Sequence, residues 1–159
     1  MATDEEIGFP QGIADEQELL LSWLRYLREA VLRKVTDLGE DEGRWTPEGG
    51  LVPLVGIVRH LTNVEWRWID GGFLGAEVSS ADDELVDVGE VSITAAVQEY
   101  LARADATEQA VRSLSLDEPH PYGPGVNLRW VLLHLINETA RHAGHADAVR
   151  ELLDGTTGE

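Results

Sequence analysis

The sequence predicts an all-α protein: a four-helix bundle with a long crossover between its second and third helices. Three observations carry this expectation. Apolar residues recur at spacings of three and four in four separate segments. No segment alternates apolar and polar residues as a half-buried strand does. The stretches between the four segments are rich in glycine, proline or acids, the punctuation of connections. Four helices of this length bury an apolar stripe each by packing on one another.

The elements follow in order. Residues 1–14 show no period and read as a flexible N-terminal tail, and residues 15–155 as a single bundle domain. Asp15 caps the first helix and Glu18 completes a capping-box pattern, with Leu20, Trp23, Leu24, Leu27, Val31 and Val35 as its stripe. The segment 39–50, GEDEGRWTPEGG, stops that helix. A second helix starts near Pro53, carries Ile57, Leu61, Val64 and Trp68 inward, and exits at Gly71-Gly72. Residues 73–91, with the run Asp82, Asp83, Glu84, form an acidic solvated crossover. A third helix runs from about Ser92 to Leu114, with Ile93, Ala96, Val97, Tyr100, Leu101 and Ala104 inward. The prolines and glycines of 117–125 forbid regular structure, and Asn127 caps a last helix reaching Leu153, before Gly155.

Composition narrows the function. The 159 residues carry 30 acids against 12 Lys and Arg, a formal charge of −18. Such a surface repels phosphates and anionic lipid, so neither nucleic acid nor a membrane is an expected partner. Hydrophobic residues make up 43%, enough for a real core. There are no cysteines, which removes disulfides, thiolate metal sites and a protein thiol nucleophile. No stretch reaches the roughly 20 apolar residues of a spanning helix, and the N-terminus lacks the basic and apolar parts of a signal peptide. A soluble, cytoplasmic domain is expected.

The informative residues are polar ones on apolar faces. His60 stands on the inward side of the second helix. On the last helix His134, Glu138 and His142 follow at intervals of four, with His145 three later, all within an arc of roughly 80°. Residues at i and i+4 converge, the separation used by His-x-x-x-His metal sites. The stripe of Leu128, Val131, Leu132, Leu135, Thr139, Ala143, Ala146 and Leu153 chooses among them: His142 falls inside it, Glu138 at its edge, His134 and His145 further round. A carboxylate at that edge needs a partner, and a cation shared with His142 and His60 supplies one. The alternative is an arginine partner for Glu138, with the histidines as polar edge residues. Two histidines and one carboxylate with open positions suit catalytic zinc, and equally Fe, Ni or Mn. Arg59 and Arg141 each precede one of these residues and suit contacts to a carboxylate on a thiol or substrate. Trp45, Trp66, Trp68 and Trp130 are candidates for a pocket mouth, Trp68 more for packing, and His120 reads as an exposed loop residue.

The segments LVGIVRHLTNVEWRW (54–68) and WVLLHLINETARHAGHADAVRE (130–151) resemble the DinB-like metalloenzymes. They are most similar to an actinobacterial branch close to the mycothiol-dependent enzymes. The resemblance implies a four-helix bundle with a divalent-metal triad, matched here to His60, Glu138 and His142. Glu138 takes a place often held by histidine, though the mycothiol-dependent maleylpyruvate isomerases also use glutamate there. The chain is read as lacking their additional C-terminal domain, a departure that touches the isomerase activity rather than the metal site. The resemblance further implies a low-molecular-weight thiol as cosubstrate, transferred to a small electrophile, and a homodimer with an exposed helix aromatic at its contact. The competing expectation is a non-enzymatic metal-binding bundle that senses small thiols or docks a protein.

Overall fold

The computed structural model describes residues 8–78 and 89–158, and among them the chain is all-helical apart from one isolated bridge between Pro119 and Asn127. The elements are α1 (Glu16–Arg33), α2 (Glu40–Arg44), α3 (Leu54–Phe73), α4 (Ile93–Arg112) and α5 (Leu128–Asp154). No helix among the described residues is long and apolar enough to cross a membrane.

The caps explain where the long helices begin. The side chains of Asp15, Ser92 and Asn127 accept the backbone N–H of Glu18, Ala95 and Trp130, satisfying donors that a helix leaves unpaired. Pro53 stands at the N-cap of α3, and Gly155, at φ +78°, closes α5 in the left-handed conformation that only glycine adopts cheaply. The segment 39–50 is not merely a breaker: it holds α2, whose Glu40 accepts the Ile93 N–H at 3.1 Å and so caps the start of α4 from outside.

Ion pairs set the helix directions. Glu16–Arg129 and Asp37–Arg150 join α1 and its C-terminal turn to α5 with the same sequence offset, so these two helices run parallel. Glu18–Arg112 and Arg25–Glu108 advance in opposite senses, so α1 and α4 are antiparallel. His60 lies near Glu138, and Trp68 near His134 and Trp130, so α3 opposes α5. It follows that α3 and α4 run the same way. Most of the acidic segment joining them, including Asp82, Asp83 and Glu84, lies outside the described residues.

The core comes in two parts. One gathers Val31, Leu54, Ile57, Leu61, Ile93, Ala146 and Val149; the other gathers Leu21, Leu24, Ile69, Val111, Leu128 and Leu132. Between them the side chains of Arg28 and Glu65 are fully buried and paired, Arg28 Nε donating to Glu65 Oε2 at 3.0 Å and Nη2 to Oε1. Glu108 lies 3.5 Å from the same guanidinium.

This pair corrects the expected stripe of α1. The buried residues are Leu21, Leu24, Tyr26, Arg28 and Val31, while Leu20, Trp23 and Leu27 are only half-buried. In α3 the helix passes through Gly71-Gly72 to Phe73, and Trp68 is half-buried beside the buried Ile69. In α4 Leu101 is exposed rather than inward, and Thr107, Ala110 and Val111 complete the buried face. In α5 Leu153 is half-buried, and Val149 and Arg150 are buried instead; Arg150 is held by Asp37, Asp154 and the Lys34 carbonyl.

Removing one partner of the central pair strands a buried charge. Glu65→Leu should therefore lower the unfolding free energy by about 3–5 kcal/mol in urea titration, and the double variant Arg28→Met, Glu65→Leu should regain most of the loss.

Candidate metal centre

Three side chains from two helices meet at the open edge between α3 and α5. His60 comes from the first half of α3, and Glu138 and His142 from successive turns of α5. Their ligand atoms all lie within 4.8 Å of one another. His60 Nε2 is 3.5 Å and His142 Nε2 3.6 Å from the same oxygen, Glu138 Oε2, and the two imidazole centroids are 4.6 Å apart. The side chains keep 16%, 20% and 11% of their surface exposed for His60, Glu138 and His142, so the group is sheltered yet reachable.

The electrostatics suit a cation. Burial pushes the His142 pKa down to about 4, and neighbouring His60, His145 and Arg141 add to this against the pull of Glu138. At neutral pH His142 therefore offers a free lone pair. Its Nδ1 stands 3.4 Å from His145 Nδ1. This contact, on the ring nitrogen opposite the common point, is of the kind that orients a ligating imidazole. Two imidazole nitrogens and one carboxylate on a shared point, with sides open to solvent, are a donor set compatible with a divalent metal.

The structure thus brings together the three residues singled out in the sequence. Arg141 is exposed beside them and Arg59 is half-buried on α3. His134 lies elsewhere, one turn towards the start of α5, packed on Trp68 at 4.7 Å and stacked on Trp130 at 5.4 Å. Trp45 and Trp66 take no part in that cluster, and Trp45 packs against the core near the start of α3.

His120, expected to be an ordinary exposed residue, is half-buried. Its Nε2 donates to the Trp68 carbonyl at 3.1 Å, its Nδ1 accepts the Tyr122 N–H at 3.0 Å, and its ring contacts Trp68 and Phe73. Gly72 makes this possible, because a Cβ there would come 1.8 Å from His120 Nε2. No local pattern reveals this, since the bond spans 52 positions.

Comparison with known proteins now has a geometry to meet. The family model described as Mycothiol-S-transferase matches residues 19–155. The chain belongs to this DinB-like family. The mycothiol-S-transferase match runs from α1 to the C-cap of α5 and so takes in both helices of the site. A conserved protein from Enterococcus faecalis, known from its crystal structure, is similar in fold with a TM-score of 0.71 and 14% identity. That likeness covers 91% of this chain and 100% of the other. Nothing among curated proteins matches the chain.

Two outcomes are expected. In metal-free protein the unfolded His142 takes up a proton near its ordinary 6.5 that the folded residue refuses until about 4. Its share of stability is complete above the first value and lost as pH falls to the second, so the stability difference from His142→Gln should shrink across that window in urea titrations. Gly72→Ala should expel the His120 ring, costing about 1–3 kcal/mol and altering the near-ultraviolet circular dichroism of Trp68.

Proposed function

We propose that the protein is a divalent-metal-dependent thiol transferase, in which His60, Glu138 and His142 hold the metal and a low-molecular-weight thiol of the mycothiol type is transferred to a small electrophile. The observation carrying this reading is the convergence of three ligand atoms within 4.8 Å in a chain of the mycothiol-S-transferase family. Zinc is the first choice of metal, with nickel, iron and manganese compatible with the same donors. The wider frame of the reading is a single domain over residues 15–155, a DinB-like four-helix bundle with a crossover between α3 and α4. The parallel run of those two helices supports that topology, since parallel neighbours need a long connection.

A divalent cation at this place supplies Lewis acidity, favouring thiolate over thiol or polarising an oxygen of the electrophile. The chain's own residues do the rest. Glu138 contributes the anionic charge that makes the site selective for a cation over a neutral ligand. His142, kept neutral by burial, offers a ring nitrogen as a donor to the metal, and His145 contacts its other nitrogen. With no cysteine in the sequence the sulfur arrives with the cosubstrate. The sulfur–carbon bond forms as the electrophile's leaving group departs with its electron pair, and the thiol proton passes to solvent at the open edge. Arg59 and Arg141 are assigned to acidic groups of thiol or substrate. The reading is completed by a cytoplasmic location, a homodimer, and no nucleic-acid or membrane partner.

Protein purified without chelator should contain about one divalent ion per chain by elemental analysis. His60→Ala and His142→Ala should each lose the metal and the thiol transfer while keeping helix content by circular dichroism. Equal turnover of the same thiol by metal-free protein would contradict this mechanism.

A further inference from the structure

Eight residues along α3 from His60 stands Trp68, and eight residues back along α5 from Glu138 stands Trp130. In antiparallel helices this brings the two tryptophans together about 12 Å from the triad, with His134 midway on α5. The rings meet as the register requires. Trp68 lies 5.5 Å from Trp130 and 4.7 Å from His134, and Tyr122 lies 5.1 Å from Trp68. His134, Trp130 and Tyr122 stand nearly parallel, with interplanar angles of 18° and 22°. The same α3–α5 edge that carries the triad therefore continues into an aromatic wall.

Core packing does not account for this wall. Trp130 is 39% exposed and Tyr122 70% exposed, so neither side chain is enclosed by the core. Yet the loop carrying Tyr122 is fixed by His120, both of whose ring nitrogens are engaged. Holding an exposed aromatic in place costs conformational entropy, which a preformed binding surface offsets on occupation. Burial lowers the His134 pKa, so its ring joins the wall uncharged at neutral pH.

We propose that Trp68, Trp130, His134 and Tyr122 seat a planar aromatic group of the electrophile and direct its reactive carbon towards the His60–Glu138–His142 triad. A ring against His134 lies one helical turn, about 5–6 Å, from Glu138, so the reactive carbon belongs to the ring or to its first attached atom. The substrate class is thus aryl or benzylic electrophiles. The seat rests on the proposed function for the reaction it serves, but its binding property can be measured without turnover.

The test uses the full metal-loaded chain and two probes of similar size, nitrobenzene and cyclohexyl methyl ketone, with binding measured by calorimetry and ligand-observed NMR. Wild-type protein should bind the nitroaromatic at least about tenfold more tightly than the alicyclic ketone, Trp130→Ala should lose that preference, and Trp130→Phe should recover most of it. Metal content and helix content should match wild type in both variants. Equal affinity for the two probes, or nitroaromatic binding untouched by Trp130→Ala, overturns the seat. So does a result in which Trp130→Ala changes only the oligomeric state in sedimentation, which would assign the wall to a second copy of the chain. If the nitroaromatic binds through Trp130 but no thiol is transferred to any electrophile, the seat stands and the transferase reading fails. If transfer proceeds equally with aryl and alkyl electrophiles and ignores Trp130→Ala, the transferase reading stands and the seat fails.

Discussion

The buried pair of Arg28 and Glu65 is the constraint around which the helices are arranged. An ion pair in a protein interior loses its hydration, and only good geometry with further hydrogen bonds returns that cost. Here two guanidinium nitrogens face two carboxylate oxygens, and Glu108 approaches from α4. Tyr100 and Thr139 complete the layer from α4 and α5. The Tyr100 hydroxyl faces Thr139 without forming a well-shaped hydrogen bond, and burial with the Glu65 charge drives its pKa upward. Polar groups in such a layer cannot slide along the helices or rotate without losing partners. The layer therefore fixes the axial and rotational setting of α3 against α1, which a purely apolar core leaves looser.

That setting has a consequence for the site. With Glu65 at the centre, His60, five residues earlier, stands about 140° round α3 and emerges at its flank. On α5, Thr139 faces the central layer, and Glu138 and His142 both fall to one side of it, by about 100° and 60°. The triad is thus displaced to the margin between α3 and α5 instead of sitting in the core. A fully buried carboxylate and two histidines would pair or neutralise, whereas these keep partial access to solvent. Burial still suffices to depress the His142 pKa to about 4, so proton competition for its lone pair is weak at neutral pH.

Much of this was legible in the sequence because it depends on short spacings. The caps at Asp15 and Asn127 read directly, as did the place of His142 and Glu138 on the stripe of α5. What escaped reading shares one physical character: it depends on partners distant in the chain. A search for apolar residues at threes and fours skips Arg28 and Glu65, so the α1 stripe slid onto Leu20, Trp23 and Leu27. Arg150 escaped for the same reason, since it is held by Asp37, 113 positions earlier in the chain. The short α2 escaped because its acids and glycine resemble a turn, and its value lies in capping α4 rather than in packing a stripe.

The glycines of α3 show how a local signal can serve a distant contact. Gly71-Gly72 is a normal exit sequence, yet the helix continues to Phe73 because its far end is packed and capped by later residues. The missing Cβ of Gly72 leaves the space that the His120 ring fills, and that ring ties the loop after α4 to the Trp68 carbonyl. A helix-weakening residue is retained where clearance is worth more than propensity. The loop so tied places Tyr122 on the tryptophans that continue the register of the triad. The polar layer at the centre and the glycine near the end of α3 thus act on the same edge of the bundle, one by setting the rotation of the helix and the other by admitting the loop that finishes its aromatic wall.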